Sequence, residues 1–507
     1  HLLPFYERGL ADGSLTRESA EELLQCLWVK FNNQPAPPKV GVTAAESGTY
    51  TDFAQINVGG LRPDGSDGVN EVSYLLLDVI EEMRLLQPSS SIQVSKKNPD
   101  RFIKRASKII RTGFGQPSVF NADLIVQELV RMGKSVADAR CGGSSGCVEV
   151  GAFGKENYNL TGYFNLPKVL EITLHNGIDP RTGARLGLET GDPRGFNSFE
   201  QLFTAFEQQL NHFIEIKVRG NNIIERLYAR YMPCPFLSLL IDDCIATGKD
   251  YHQGGARYNT TYIQGVGVGT MADSLSALEY HVFDKVQGPH TFSMDELISA
   301  LGSDFAGNQR LRQVLLNRTP KYGNDDDYAD RLMVRVFEAY FKAVDGRKNT
   351  KGGEYHINLL PTTVHIYFGS VTGATPDGRL ANTPLSEGVS PVQGADRHGP
   401  TAALRSVAKM DHARTGGTLL NQKFTPQVLA SDEGLDKLVQ LIRGYFRLDG
   451  HHIQFNVVDA ATLRAAQQNP EQYRSLIVRV AGYSDYFCDL SPTLQDEIIA
   501  RTGHAEF

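Results

Sequence analysis

Apolar residues recur at helical spacing in several parts of the chain. After Ser14, apolar side chains return about every third or fourth position, which predicts an amphipathic helix over residues 14–31. Pro35 lies just beyond it, and proline cannot continue the hydrogen-bond ladder of a helix. The same spacing predicts further helices over residues 69–86, 122–132, 164–174 and 199–216.

Shorter apolar or β-branched runs separate these helices. Residues 236–244 and 362–368 have the length and composition of strands, and residues 412–424 and 450–459 predict glycine-bearing loops that lead into strands. Ser491 followed by Pro492 predicts the start of a last helix. Helices alternating with short strands indicate an α/β fold.

Composition narrows the functional class. The chain has 507 residues, 41% of them hydrophobic, and a net charge of −7, which is ordinary for a globular protein and offers no basic footprint for nucleic acid or anionic membrane. No apolar run reaches the length of a spanning helix. The start at His1 has neither an initiator methionine nor a signal pattern, so we expect a fragment of a cytoplasmic protein.

The six cysteines form no C-x-x-C pair, which disfavours zinc, iron–sulfur clusters and a disulfide framework within this chain. Other candidate sites are weak. Residues 265–269 are glycine-rich but lack the spacing of a nucleotide-binding loop, and a close-packed turn is expected instead. Residues 325–327 are three aspartates that predict a solvated loop, and His451-His452 lacks metal-site spacing.

One cysteine has an unusual setting. Residues 142–149 are Gly-Gly-Ser-Ser-Gly-Cys-Val-Glu, so small residues surround Cys147 and a carboxylate, Glu149, follows two positions later. In an extended loop this spacing places both side chains on one side, where they can address one substrate. A nucleophilic or redox cysteine is predicted, and a buried structural thiol is the alternative.

Gly482, in the segment Arg-Val-Ala-Gly-Tyr-Ser at residues 479–484, is the second candidate. An ordinary turn is one interpretation. The other is electronic: a glycine that loses an α-hydrogen holds a planar radical delocalised over the amide nitrogen and the carbonyl. The apolar and aromatic neighbours of Gly482 are suited to shielding such a radical.

Together these segments resemble a known family. Residues 479–484, with the following stretch 494–502, are similar to the glycyl radical motif of the pyruvate formate-lyase-like superfamily. Residues 145–149 are similar to the cysteine loop of that superfamily. The resemblance implies an α/β barrel of ten strands in two half-barrels, incomplete at the N-terminus. It also implies that residues 1–375 belong to the barrel domain with its cysteine loop and residues 376–507 to the glycine radical domain.

The resemblance also indicates the reaction. Cys147 lacks the adjacent second cysteine of formate chemistry. Stretches at residues 31–41, 254–260, 322–328 and 450–456 resemble the branch that dehydrates trans-4-hydroxy-L-proline to 1-pyrroline-5-carboxylate, a carbon–oxygen lyase reaction. Val150 departs from the proline that diol dehydratases and choline lyases carry after the glutamate. Those enzymes, an arylacetate decarboxylase, and a catalytically incomplete scaffold fragment stay as alternatives.

By the same resemblance, a radical S-adenosylmethionine activase with an iron–sulfur cluster creates the radical on Gly482, Cys147 passes it to the substrate, and Glu149 moves a proton. An anaerobic setting is implied, the chain itself binds no metal, and the family leaves room for a homodimer. Matching positions nominate a substrate pocket for a small zwitterion, made by Ser47, Asp52, Phe53, Tyr163, Leu360 and Thr362.

Overall fold

The computed structural model describes residues 1–33, 53–288 and 291–507. They form two compact units, one of His1–Phe153 with Gly416–Phe507 and one of Gly154–Thr415. The strands are β1 (Gln55–Gly59), β2 (Ser89–Val94), β3 (Ser118–Asn121), β4 (Gly143–Ser145), β5 (Glu149–Gly151), β6 (Glu156–Asn165), β7 (Tyr258–Val266), β8 (Glu354–Leu359), β9 (Asn421–Phe424), β10 (His452–Val457), β11 (Ile477–Arg479), β12 (Ser484–Tyr486) and β13 (Gly503–His504).

A six-stranded sheet organises the first unit, in the order β1-β2-β3-β10-β9-β13. Its pairs are parallel except β3 with β10, which run antiparallel. Strands β2, β3, β9 and β10 are buried along their whole length, as expected for strands covered on both faces. The helices of this unit span Leu3–Asp12, Arg17–Asn32, Glu71–Met83, Asp100–Ile109, Ala122–Arg131, Val136–Arg140, Asp432–Arg447, Ala460–Gln468 and Pro492–Ala500.

Two hairpins complete the first unit. Strands β4 and β5 pair antiparallel, and so do β11 and β12. Each hairpin is short, so the residues of its turn hold fixed positions relative to the pairs that flank them.

The second unit is built on the parallel sheet β6-β7-β8. On one face, the ring of Phe164 stacks on Tyr340, and a Cβ on Gly265 would meet the same tyrosine at 2.8 Å. Because Gly265 lacks a side chain, the backbone of β7 can lie close to Tyr340, which belongs to the helix Asp327–Val344. The helices of this unit span Leu166–Leu174, Phe199–Tyr231, Pro235–Leu240, Cys244–Thr247, Val268–Leu278, Met294–Gly302, Gln309–Arg318, Asp327–Val344, Val364–Ser370 and Gly399–Val407.

Most predicted elements are confirmed, with shifted ends. The first amphipathic helix begins at Arg17 instead of near Ser14, because Thr16 accepts a hydrogen bond from the backbone of Ser19 and caps it. The helix predicted over residues 199–216 continues to Tyr231. Its second half escaped prediction because apolar residues such as Ile223 are exposed there and break the periodicity. The last helix begins at Pro492 as predicted.

Two predicted strands are wrong. Residues 236–244 contain most of the helix Pro235–Leu240, in which proline occupies the first turn and Phe236 is 76% exposed. Residues 362–368 lie where Thr362 adopts a left-handed φ of 50°, and the helix Val364–Ser370 follows directly. Both runs are apolar, and an apolar run of this length does not distinguish a strand from a short helix. No helix in the described ranges is both long and apolar enough to cross a membrane.

Candidate active site

Cys147 lies at the tip of the first hairpin. Ser145 pairs with Glu149 across β4 and β5, which leaves Gly146, Cys147 and Val148 as a three-residue turn. The thiol is buried, with 3% of the residue exposed. The expected extended loop is therefore a tight turn, and the thiol is held by the strands on either side.

Gly482 lies in the turn of the second hairpin. Arg479 pairs with Ser484, and the backbone N–H of Val480 donates to the carbonyl of Tyr483 at 2.9 Å. Gly482 has a φ of 82°, a conformation that strongly favours glycine. The turn thus supplies a conformational reason for glycine in addition to the electronic one.

The two tips meet. A Cβ placed on Gly482 would lie 2.2 Å from Cβ and 2.6 Å from Sγ of Cys147. Since a carbon–carbon bond is about 1.5 Å long, the Cα of Gly482 lies no more than about 4 Å from that sulfur. A hydrogen, the pro-S hydrogen by geometry, occupies the direction that a Cβ would take. The structure therefore allows direct hydrogen transfer between this carbon and this sulfur.

Glu149 folds back over its own turn. Its Oε2 accepts hydrogen bonds from the backbone N–H groups of Cys147, at 2.8 Å, and Val148, at 3.0 Å. Gly146 makes this possible, because its φ is 65° and a Cβ there would lie 2.9 Å from the same oxygen. Gly146, the third glycine of the segment 142–149, therefore positions the carboxylate.

Burial controls the charge of Glu149. The side chain is withdrawn from water, which raises the pKa of its carboxyl group, and the hydrogen bonds from backbone N–H groups offset this only in part. The raised pKa favours the neutral acid, which can donate a proton to a leaving hydroxyl group. Such a shifted carboxyl group beside a thiol is typical of a catalytic site.

Two buried side chains, His451 and Glu128, support the thiol turn, which is the turn of residues 146–148 that carries Cys147. His451 Nε2 lies 3.2 Å from the carbonyl oxygen of Val148, and Nδ1 lies 2.8 Å from Glu128 Oε1. The carbonyl can only accept, so Nε2 carries a hydrogen and donates it. Glu128 and His451 are both fully buried, and burial raises the pKa of Glu128. His451 therefore acts as a support for the turn.

The predicted pocket residues fall in three groups. The ring of Phe53 meets the ring of Tyr483 edge-on, with centroids 5.6 Å apart, so it lies beside the glycine turn. In the second unit, the hydroxyl groups of Tyr163 and Thr362 are 2.7 Å apart, and Leu360 is fully buried. Ser47 and Asp52 lie outside the described residues.

The aspartate run has a definite partner. Asp325, Asp327 and Asp330 all place an oxygen within 3.1 Å of the Lys409 ammonium. The single positive charge of that ammonium lies against all three carboxylates. Residues 265–269 form a close-packed turn, as predicted, since a Cβ on Gly267 would lie 2.7 Å from the ring of Pro167. Within the described part of the chain, no group of three or more potential metal ligands occurs.

The sequence profile of the family "Pyruvate formate lyase-like" matches residues 1–369. The chain belongs to the pyruvate formate lyase-like family. A second profile, "Glycine radical", matches residues 385–488, which include Gly482. The boundary predicted between residues 375 and 376 stays a prediction.

Relatives of this family member include known lyases. It is 60% identical to trans-4-hydroxy-L-proline dehydratase of Clostridioides difficile over 99% of this chain and 63% of that protein. The crystal structure of the Clostridioides difficile hydroxyproline dehydratase with bound trans-4-hydroxy-L-proline matches with a TM-score of 0.98 and 59% identity, over 100% of this chain and 64% of that one. The glycerol-bound B12-independent glycerol dehydratase of Clostridium butyricum matches at 0.93 and 40% identity, over 97% and 62%.

The chain therefore spans less than two thirds of the length of these relatives. Its similarity to them confirms the predicted fold class, an α/β fold of the pyruvate formate lyase-like type. No closed sheet forms within residues 1–33, 53–288 and 291–507; the largest sheet there has six strands.

Sequence reasoning missed three contributors to this site. Gly146 positions Glu149, His451 supports the thiol turn, and Gln454 accepts a hydrogen bond from the N–H of Gly482 at 3.1 Å. In the sequence, residues 450–456 were singled out only because they resemble the family, and no role was predicted for Gln454. Alternation along a buried strand was the available signal, because it places His452, Gln454 and Asn456 on one face.

Proposed function

We propose that the protein containing this chain is a glycyl radical lyase that dehydrates trans-4-hydroxy-L-proline to 1-pyrroline-5-carboxylate. The observation that carries the proposal is the approach of Gly482 to Cys147, close enough for a hydrogen atom to pass between carbon and sulfur. The substrate is assigned from the 60% identity to the hydroxyproline dehydratase.

The radical moves in two hydrogen transfers. The Gly482 radical takes the hydrogen of the Cys147 thiol, which restores the glycine and leaves a thiyl radical. The thiyl radical then takes a hydrogen from C5 of the substrate, which restores the thiol and leaves a carbon radical beside the ring nitrogen. Burial of both turns keeps water and oxygen away from these steps.

Glu149 acts in the loss of water. The radical at C5 weakens the bond from C4 to its hydroxyl group, which leaves as water after it receives a proton. The pKa of Glu149 is raised by burial, so the neutral carboxyl group is available to give that proton. The ring nitrogen releases a proton as the carbon–nitrogen double bond forms. The product radical then takes the hydrogen of the Cys147 thiol, and the thiyl radical takes one from Gly482, which restores the glycyl radical.

The substrate contacts follow from chemical character. Hydroxyproline is a small zwitterion, so its pocket needs a few polar groups among apolar ones. In this proposal Phe53 and Leu360 pack against the ring of the substrate, and the hydroxyl groups of Tyr163 and Thr362, which are 2.7 Å apart, offer hydrogen bonds. Ser47 and Asp52 complete the proposed set, with the Asp52 carboxylate against the ring ammonium.

The other lyases of the family are weaker candidates. The identity falls to 40% for the glycerol dehydratase and 38% for the isethionate sulfite-lyase of Oleidesulfovibrio alaskensis. A scaffold without turnover has no need for a buried thiol against a left-handed glycine. A radical S-adenosylmethionine activase is the proposed partner, a homodimer the proposed assembly, and an anaerobic cytoplasm the proposed setting.

Electron paramagnetic resonance on the full-length protein, activated anaerobically, tests the proposal. We expect a doublet from the one remaining α-hydrogen of Gly482, which collapses when the protein is labelled with α-deuterated glycine. Gly482→Ala should show no such signal. Absence of the doublet in the parent contradicts the mechanism, whereas a doublet without hydroxyproline turnover contradicts only the substrate.

A further inference from the structure

The amide of Gly482 has its own buried partner. Its N–H donates to Gln454 Oε1 at 3.1 Å, and Gln454, on β10, is fully buried. The same oxygen accepts a second hydrogen bond, from Arg479 Nε at 2.8 Å. The carboxamide of Gln454 therefore joins the radical glycine to a guanidinium group three residues before it.

This arrangement fixes which end of the carboxamide faces the glycine. A guanidinium group only donates hydrogen bonds, so the group that faces Arg479 Nε must be the oxygen. The nitrogen of Gln454 then donates to Asn421 Oδ1, and Asn421 in turn donates to the carbonyl of Val480 at 3.2 Å. Flipping Gln454 would break every contact at once.

Arg479 is unusual because its charged guanidinium group is buried. It is 0% exposed, and the other hydrogen bonds of its guanidinium group go to the hydroxyl groups of Ser89, Ser118 and Ser484. Across the described residues, no carboxylate forms an ion pair with it. A buried cation without a countercharge is costly, so its retention beside the glycine turn suggests a role there.

We propose that Gln454, oriented by Arg479, is a positioning residue for the glycyl radical. The unpaired electron is shared between the Cα, the amide nitrogen and the carbonyl of Gly482. A hydrogen bond from the N–H to a carbonyl oxygen raises electron density on the nitrogen and so draws spin away from the Cα. The same bond holds the peptide plane that faces Cys147. This inference rests on the proposed radical at Gly482.

Asn456 offers a matched control. It lies two residues along the same strand on the same face. Among the described residues its side chain bonds only the backbone of Arg479, accepting from its N–H at 2.8 Å and donating to its carbonyl at 2.7 Å. Asn456→Leu therefore loosens the same turn without touching the amide of Gly482. Gln454→Leu removes the acceptor of Gly482, and Gln454→Glu keeps an oxygen there for both donors.

The experiment is electron paramagnetic resonance on the activated full-length protein, with ¹⁵N-labelled glycine, alongside turnover per radical. In Gln454→Leu we expect a larger α-hydrogen splitting, a smaller ¹⁵N splitting, and a fall in kcat of about tenfold with KM little changed. Gln454→Glu places a stronger acceptor against the same N–H and should shift both splittings in the opposite direction, and Asn456→Leu should leave them unchanged.

The outcomes separate the two proposals. A parent doublet with identical splittings in Gln454→Leu overturns the role of Gln454 alone. Equal changes in Gln454→Leu and Asn456→Leu also overturn it, because general loosening of the turn then explains them. If Gln454→Leu fails to fold, unchanged splittings in Gln454→Glu overturn it too. No doublet in the parent overturns both proposals.

Discussion

Replacing Gly146 by alanine tests how the carboxyl group of Glu149 is placed. The added Cβ would lie 2.9 Å from Glu149 Oε2, whereas ordinary contact begins at 3.4 Å. The oxygen must therefore retreat by about 0.5 Å (3.4 − 2.9 Å), which weakens its hydrogen bonds from the backbone of Cys147 and Val148. Alanine at a left-handed φ of 65° adds about 1–2 kcal/mol of backbone strain.

We expect Gly146→Ala to slow mainly the chemical step of turnover. A misplacement of about 1 Å at a catalytic group can cost about a hundredfold in rate, so half that displacement predicts a fall in kcat of roughly tenfold. Activation should be unaffected, because the hydrogen that the activase removes belongs to Gly482. The measurement is hydroxyproline turnover per glycyl radical, counted by electron paramagnetic resonance, in the full-length protein.

Gly133→Ala separates strain from displacement. Gly133 has a φ of 86°, and a Cβ there would meet nothing within 4 Å. This variant carries comparable backbone strain and leaves Glu149 alone, so it should turn over like the parent. Equal turnover in Gly146→Ala and Gly133→Ala would refute the idea that the glycine before the thiol positions the carboxyl group.

Three further predictions follow from the same structure. Cys147→Ser should keep the glycyl doublet and lose hydroxyproline turnover, because a hydroxyl hydrogen is held too strongly to be transferred; turnover in this variant would contradict the thiyl step. Stereospecifically deuterated glycine should lose deuterium from Gly482 only when the label is pro-S, the position facing Cys147, as mass spectrometry of the peptide would show. Burial raises the pKa of Asp273 to about 7 from 3.8, so the folded protein holds a proton that the unfolded chain releases. The free energy of unfolding is therefore highest in acid, and it falls as the pH rises from 3.8 towards about 7, where the buried carboxyl group loses its proton. Urea unfolding should show the loss in the parent and little of it in Asp273→Asn.

The sequence was most informative where local chemistry is concentrated. A lone cysteine among glycines and a glycine among aromatic residues led to the prediction that Cys147 and Gly482 are reactive, and the structure brings these two residues into contact. The expected nearness of Cys147 and Glu149 is confirmed, but the reason was wrong. An extended loop was expected, and a turn with a left-handed Gly146 provides the contact instead.

Features that depend on distant residues were not predictable in this way. Gln454 reaches Gly482 only because β10 is a central strand of the sheet, and His451 reaches the thiol turn for the same reason. The strands predicted over residues 236–244 and 362–368 were wrong for a different reason. Their patterns suit a strand or a helix, and the choice was made by Pro235 in one case and by the left-handed Thr362 in the other.

The apposed tips of the two hairpins have a consequence for how such a protein can vary. The sulfur of Cys147 and the α-carbon of Gly482 each lie in a turn of three or four residues between paired positions, Ser145 with Glu149 and Arg479 with Ser484. Because successive residues of a strand face opposite ways, one inserted or deleted residue in either turn would point the sulfur or the α-carbon away from its partner. The lengths of both turns are therefore fixed, and insertions and deletions should be excluded from them.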